Sequence, residues 1–378
     1  MNSGDIIGRD YASGQPIRLR WQDGRITHRE PAPAPPTEDV WLAPSLVDLQ
    51  VNGYAGVDFQ DDHLSLDALA AATRQLRAAG CGRYLLTLIT DEWPRLTARL
   101  RRLRSLRAQS PELQHAIAGW HLEGPFLSPE PGFRGAHDPT VMLDPTPAHI
   151  EELRAIVERD PLLVTLAPER TGALEAIHRA VECGIKISLG HTNASAEILR
   201  QAVQAGATGF THLGNGCPRD LDRHDNILWR VLESEGLTVG LIADRIHVSP
   251  SLFRLVHWVL GPHAIYYTTD AMSAAGAPPG RYRLRHLELE VGADQIVRLP
   301  GTPNFAGSAL RPIDGIFRAA AMLKCSWREV WPRFSLTPSA LLGWPGDLQP
   351  GAEATFCVLQ FDARDQLASL RVCCQGTF

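Results

Sequence analysis

Three short segments each run from apolar residues to a side chain able to bind a metal. They are His121-Leu-Glu-Gly-Pro-Phe with Glu123, Ile185-Lys-Ile-Ser-Leu-Gly-His with His191, and Ala207-Thr-Gly-Phe-Thr-His with His212. A carboxylate and two imidazoles suit a divalent ion, and three protein donors leave a position free for water or substrate. Gly124-Pro125 breaks the chain directly after Glu123. That places the carboxylate at the carboxyl end of a strand, where α/β folds gather catalytic groups. Other apolar runs end the same way, at Gln50 and Asn52, at Asp244 and His247, and at Asp270. Any single one of the 14 histidines is better read as structural, but the joint placement of Glu123, His191, His212, His247 and Asp270 points to a site.

The elements that must position these groups alternate along the chain. Strand-like apolar runs fall at 46–51, 84–89, 116–122, 162–166, 185–189, 207–211, 238–242 and 264–269. Between them, segments of helical period cover 66–79, 96–106, 148–157, 173–183, 196–205, 227–232 and 252–260. Gly80, Gly184 and Gly206 stand where helix C-termini need a left-handed residue. Eight such units predict an α/β protein with a parallel (β/α)8 TIM-like barrel. Both chain ends read instead as β structure. Pro16-Ile-Arg-Leu-Arg-Trp alternates, turns at Asp23-Gly24 and resumes, while 355–359 and 370–373 are strand-like. Pro31–Pro36 reads as a stiff linker. The expected organisation is a small β-sandwich domain built from 1–43 and 346–378, with the barrel spanning 44–345.

Composition narrows the function. A 44% hydrophobic and 21% charged chain can bury a full core, which argues against disorder. With 37 basic and 42 acidic residues and no isolated basic block, nucleic acid is not an expected partner. The Arg-rich stretch 95–107 carries Leu96, Leu100, Leu103 and Leu106 at helical spacing and reads as a solvated helix face. No signal-like segment opens the sequence and no apolar run approaches membrane-spanning length, so no membrane association is expected. Seven scattered cysteines without paired spacing predict reduced thiols and a cytoplasmic location.

Eight segments, in order, resemble the N-acetylglucosamine-6-phosphate deacetylase family of the amidohydrolase superfamily. They are Pro44-Ser-Leu-Val-Asp-Leu-Gln-Val-Asn-Gly53, His121-Leu-Glu-Gly-Pro-Phe126, Gly135-Ala-His137, Leu189-Gly-His-Thr-Asn-Ala194, Thr211-His-Leu-Gly-Asn215, Ala243-Asp-Arg-Ile-His247, Thr269-Asp-Ala271 and Ala306-Gly-Ser-Ala309. Many amidohydrolases carry a His-x-His pair where this chain has Gln50 and Asn52. The resemblance therefore implies one divalent ion held by Glu123, His191 and His212. Zinc is the first expectation, with iron(II), manganese or cobalt compatible with the same ligands. It further implies Asp270 as general acid/base, His137 near the scissile amide, and Asn215, Gly216, Arg223 and His247 as sugar-phosphate contacts in a homodimer. The implied reaction converts N-acetylglucosamine-6-phosphate to glucosamine-6-phosphate and acetate.

The departures from the family cluster. Asn215-Gly-Cys-Pro218 replaces the usual Asn-Ala-Met-Pro, an unusual run 219–226 with Asp220, Asp222 and Asp225 follows, and Asp244-Arg245 replaces Asp-Gly. Two alternatives thus stay open: deacylation of an unphosphorylated or otherwise modified N-acyl amino sugar, and a catalytically silent sugar-binding relative. Cys217 has no recognisable base for nucleophilic work. Ser308 lacks a Gly-x-Ser-x-Gly elbow and is expected to line the substrate pocket through its backbone.

Overall fold

The computed structural model describes residues 2–32, 39–300, 305–344 and 346–378; most of the Pro31–Pro36 linker and the expected boundary at 345 lie outside them. Eight strands form the barrel wall: β1 (Leu46–Val51), β2 (Cys81–Ile89), β3 (Ile117–Glu123), β4 (Leu162–Leu166), β5 (Lys186–Leu189), β6 (Gly209–Phe210), β7 (Thr238–Ile242) and β8 (Ile265–Thr268). They follow one another in a single sheet of unbroken order, with parallel pairing from β1 through β8. Every residue of β1, β4 and β8 is buried. A parallel strand covered on both faces reads as a continuous apolar run rather than an alternating one, which is why these runs were visible.

Helices return the chain between strands, and several begin where the sequence supplies a hydroxyl cap. Ser65, Thr146, Ser195 and Ser249 each accept an amide three residues on. Three features exceed the sequence expectation. A short helix, Pro111–Ala116, precedes β3. A three-stranded antiparallel insert, Gly280–Leu284, Leu287–Val291 and Val297–Arg298, follows β8. The helix that completes the last unit, Pro312–Leu323, comes only after that insert.

Closure between β1 and β8 depends on a side chain. The only backbone bridge there joins Val51 to Ala271 among the described residues. Below it the carboxylate of Asp48, fully buried, accepts the hydroxyls of Thr268 and Thr269 at 2.6 Å each. Burial pushes this carboxyl up to about 6, although the two threonine hydrogen bonds act to lower it.

The chain ends meet as expected, but in one six-stranded sheet where a sandwich is expected, in the order Leu367–Cys373, Phe356–Phe361, Val40–Pro44, Gly4–Asp10, Pro16–Gln22, Arg25–Pro31. Val40–Pro44 joins the two ends, pairing antiparallel with Phe356–Phe361 and parallel with Gly4–Asp10. A core separate from that of the barrel includes Leu19, Trp21, Leu42, Phe356 and Val358. The Asp23-Gly24 turn is present, with positive φ at both residues (51° and 74°), as a two-residue hairpin loop of this kind requires.

The Arg-rich stretch is a helix, Trp93–Ala108, whose Leu96, Leu100 and Leu103 are buried and whose arginines pair with acids of this chain, such as Arg107 with Asp160 at 2.7 Å. Arg99 is the exception to a solvated face. It is buried and bonds Asp91, itself 0% exposed, at 3.0 Å. Arg99→Met should lower stability by ~3 kcal/mol, because removing one partner leaves a buried charge. An unchanged denaturation midpoint would mean that Arg285, which also pairs with Asp91, neutralises it alone.

Candidate metal centre and active site

Glu123 is the last residue of β3, His191 lies two residues beyond β5, and His212 and Asp270 lie two beyond β6 and β8. His191, His212 and Asp270 all have positive φ (50°, 32° and 51°). A non-glycine residue held there costs on the order of 1–3 kcal/mol, so the surroundings must impose the conformation. All four side chains are buried.

Glu123, His191 and His212 each offer one donor atom within 4.8 Å of the others, the only such metal-capable group among the described residues. Glu123 Oε1 lies 2.7 Å from His212 Nε2 and 3.3 Å from His191 Nε2. Burial alone would raise the Glu123 carboxyl, but the imidazoles of His191 and His212 against it outweigh that and hold it well below the usual carboxylate range. The His191 Nδ1–H donates to the Phe133 carbonyl at 2.8 Å, which leaves Nε2 with the lone pair a cation needs. Two glycines press on the same ring, since a Cβ at Gly135 or Gly216 would come within 2.9 or 2.7 Å of it.

Donor chemistry, burial and tautomer therefore fit one divalent ion. Two polar atoms nearby, His212 Nδ1 and Asn52 Oδ1, are buried without a protein partner. Gln50 and Asn52 occupy other roles. Gln50 Nε2 donates to Glu123 Oε1 at 2.8 Å, and Asn52 Nδ2 donates to Asp270 Oδ1 at 2.7 Å. One orients a ligand and the other orients the acid. Burial first, then the negative charge of Glu123, pushes the Asp270 carboxyl well up.

His137 reaches the same centre. Its Nε2 is 3.6 Å from Glu123 Oε2, and its Nδ1 is 2.8 Å from the Thr90 hydroxyl. The Thr90 hydroxyl lies closer to Nδ1 than to the Glu123 carbonyl, at 2.8 against 3.3 Å, and by donating to Nδ1 it leaves the ring proton on Nε2. Burial, then the charge of His191, lowers His137 to about 3 and keeps it neutral. His137 is thus available as a neutral N–H donor.

The remaining sequence candidates are less convergent. Asn215 donates to the His212 carbonyl at 3.2 Å. His247 Nδ1 bonds Asp244 Oδ2 at 2.6 Å and packs its ring against Phe305 at 5.2 Å. Arg223 is exposed and donates to His224 Nε2 at 3.0 Å, so no contact joins it to the metal ligands. Ser308 is buried, and its amide and hydroxyl bond the β8 exit rather than facing a pocket. Burial pushes the Cys217 thiol up to about 11, against a nucleophilic role. Two residues that shape the site, Thr90 and Asp48, carried no role in the sequence reading. Asp48 had a signal, because a carboxylate in an apolar strand has to find donors.

A parallel barrel with one Glu/His/His centre at the carboxyl ends of its strands, and an aspartate after the eighth, defines a metal-dependent hydrolase of the amidohydrolase type. No known-family profile matches the chain. It is 32% identical over 347 residues to N-acetylgalactosamine-6-phosphate deacetylase of Escherichia coli O157:H7, covering 90% of each chain. It is 33% identical over 338 residues to N-acetylglucosamine-6-phosphate deacetylase of Danio rerio, covering 85% of this chain and 81% of the relative. The structure of an aspartate-to-alanine variant of the Mycobacterium smegmatis N-acetyl-D-glucosamine-6-phosphate deacetylase, in complex with N-acetyl-D-glucosamine-6-phosphate, matches with a TM-score of 0.87 at 30% identity, over 99% of this chain and 98% of that one. The chain belongs to the N-acetylglucosamine-6-phosphate deacetylase family of amidohydrolases.

Proposed function

We propose that the protein hydrolyses the acetamide of N-acetylglucosamine-6-phosphate, releasing acetate and glucosamine-6-phosphate. The observation that carries this reading is the buried Glu123, His191 and His212 cluster, with Asp270 beside it on Asn52. Glu123, His191 and His212 would hold a divalent ion, which when bound would supply a water of lowered pKa, towards ~7, and a Lewis acid for the amide carbonyl. Asp270 takes the proton of the attacking water and passes it to the nitrogen, since an amine leaves only once protonated. Asn52 holds one Asp270 oxygen at 2.7 Å and leaves the other for this transfer. His137 Nε2–H donates to the carbonyl oxygen, a contact worth ~2–4 kcal/mol if it strengthens as charge develops. Asn215, Gly216, Arg223 and His247 take the sugar and its phosphate, with Arg223 swinging from His224 onto the ligand.

The ion is zinc in this reading, because zinc accepts mixed nitrogen and oxygen donors in four-coordination. The protein works in the cytoplasm as a homodimer. Seven cysteines without a disulfide support the reducing compartment, and no helix among the described residues is long and apolar enough to cross a membrane. The dimer rests on the family resemblance, and light scattering tests it.

The deciding experiment is acetate release by metal-reconstituted protein from N-acetylglucosamine and N-acetylgalactosamine, each with and without the 6-phosphate. The 6-phosphorylated gluco substrate should be turned over best. Arg223→Ala should then lower kcat/KM for it by about ten- to a hundred-fold, the worth of a charge-assisted phosphate contact, and spare the unphosphorylated sugar. A preference for unphosphorylated sugar would instead assign the 219–226 run to another recognition task, with Asp220, Asp222 and Asp225 repelling a dianion.

A further inference from the structure

Asp48 carries a carboxylate in the barrel wall, fully buried, and takes no part in the chemistry proposed above. Its oxygens accept the Thr268 hydroxyl at 2.6 Å, the Thr269 hydroxyl at 2.6 Å and the Thr269 amide at 3.1 Å. A hydroxyl has one proton. With that proton committed to Asp48, the Thr269 oxygen turns a lone pair towards the amide of Ala271 and accepts it at 3.0 Å. From the other side, the Ser308 hydroxyl donates to the Thr269 carbonyl at 2.6 Å and the Ser308 amide donates to the Asp270 carbonyl at 2.8 Å. Asp270 therefore sits between two fixed peptide units, at a φ of 51° that its neighbours have to enforce.

We propose that Asp48 is a positioning residue for the reaction: through the Thr269 hydroxyl and the Ala271 amide it holds the backbone that aims the Asp270 carboxyl at the metal centre. The inference rests on Asp270 being the proton carrier. A carboxylate suits the place because the groups facing it are all donors, whereas an amide of the same shape would set its own N–H groups against some of them. Thr269 is the link, and valine in its place keeps the shape while removing the bridge. Misplacing a reacting group by about 1 Å can cost on the order of a hundred-fold in rate, so a purely geometric role predicts a large effect from a residue that never touches substrate.

The test is a double-mutant cycle on the full-length, metal-reconstituted protein, with N-acetylglucosamine-6-phosphate as substrate and metal content measured alongside. Asp48→Asn and Thr269→Val should each lower kcat by ~10–100-fold, with KM changed by less than about two-fold and one ion per chain retained. In an Asp270→Asn background each should cost less than about two-fold, because the group they place no longer transfers a proton. The same fold-loss in both backgrounds, a loss that merely follows metal content, or no loss in the wild-type background would each overturn the proposal. If Asp48→Asn does not fold, Thr269→Val carries the cycle alone. Near-normal turnover by Asp270→Asn itself would retire the role of Asp270, whereas an inactive Asp270→Asn with additive effects from Asp48 would retire only this inference.

Discussion

Asp270→Asn should yield a folded protein that keeps its metal and loses ~10²–10⁴-fold in kcat, the range expected when a general acid/base is removed. The substitution preserves shape and an oxygen for the Asn52 amide, which lies 2.7 Å from Asp270 Oδ1. It removes the basic oxygen that receives the proton of water and returns it to the departing nitrogen. Amide hydrolysis needs both transfers, so the defect should fall on kcat while KM stays near its original value. Turnover close to wild type would assign the proton to another group.

Glu123→Gln should reduce bound metal to less than about a tenth of an equivalent and lower activity at least ~10³-fold, because a neutral amide is a far poorer ligand than a carboxylate. Glu123 is the only anionic member of the three-donor cluster. Its Oε1 is also where Gln50, His191 and His212 point. Elemental analysis after gel filtration, read beside circular dichroism, separates loss of metal from loss of fold. Full metal content in the variant would remove Glu123 from the ligand set.

The metal cluster was legible in the sequence because each ligand lies at or within two residues of a strand end, where an apolar run stops abruptly at a polar group. The barrel was legible for the same reason. Strands buried largely on both faces give eight mainly apolar runs, and hydroxyl caps mark several of the helices between them. The roles of Asp270 and His137 came from family resemblance, since nothing in local pattern separates a catalytic aspartate from a helix cap. The clamp of Asp48, Thr269 and Ser308 was hidden because it joins residues from β1, the β8 exit and the segment after the insert. The insert itself alternates charged and apolar residues in Arg281-Tyr-Arg-Leu-Arg-His-Leu-Glu-Leu-Glu-Val291, a strand signal weaker than the barrel runs. Arg223 illustrates the converse. Resemblance gives it a phosphate, while the structure gives it His224 as its partner.

The six-stranded sheet made from both ends has a consequence for how the chain is synthesised. Val40–Pro44 emerges from the ribosome early, but one of its edges waits for Phe356–Phe361, which arrives only after the entire barrel. During that interval an open strand edge and the apolar faces of Leu19, Trp21 and Leu42 remain without the late partners Phe356 and Val358. Open edges of this kind pair readily with other chains. Chains truncated before Phe356 should therefore carry an almost complete catalytic barrel and still be more prone to aggregation and proteolysis than the full chain, which limited proteolysis of the two would measure.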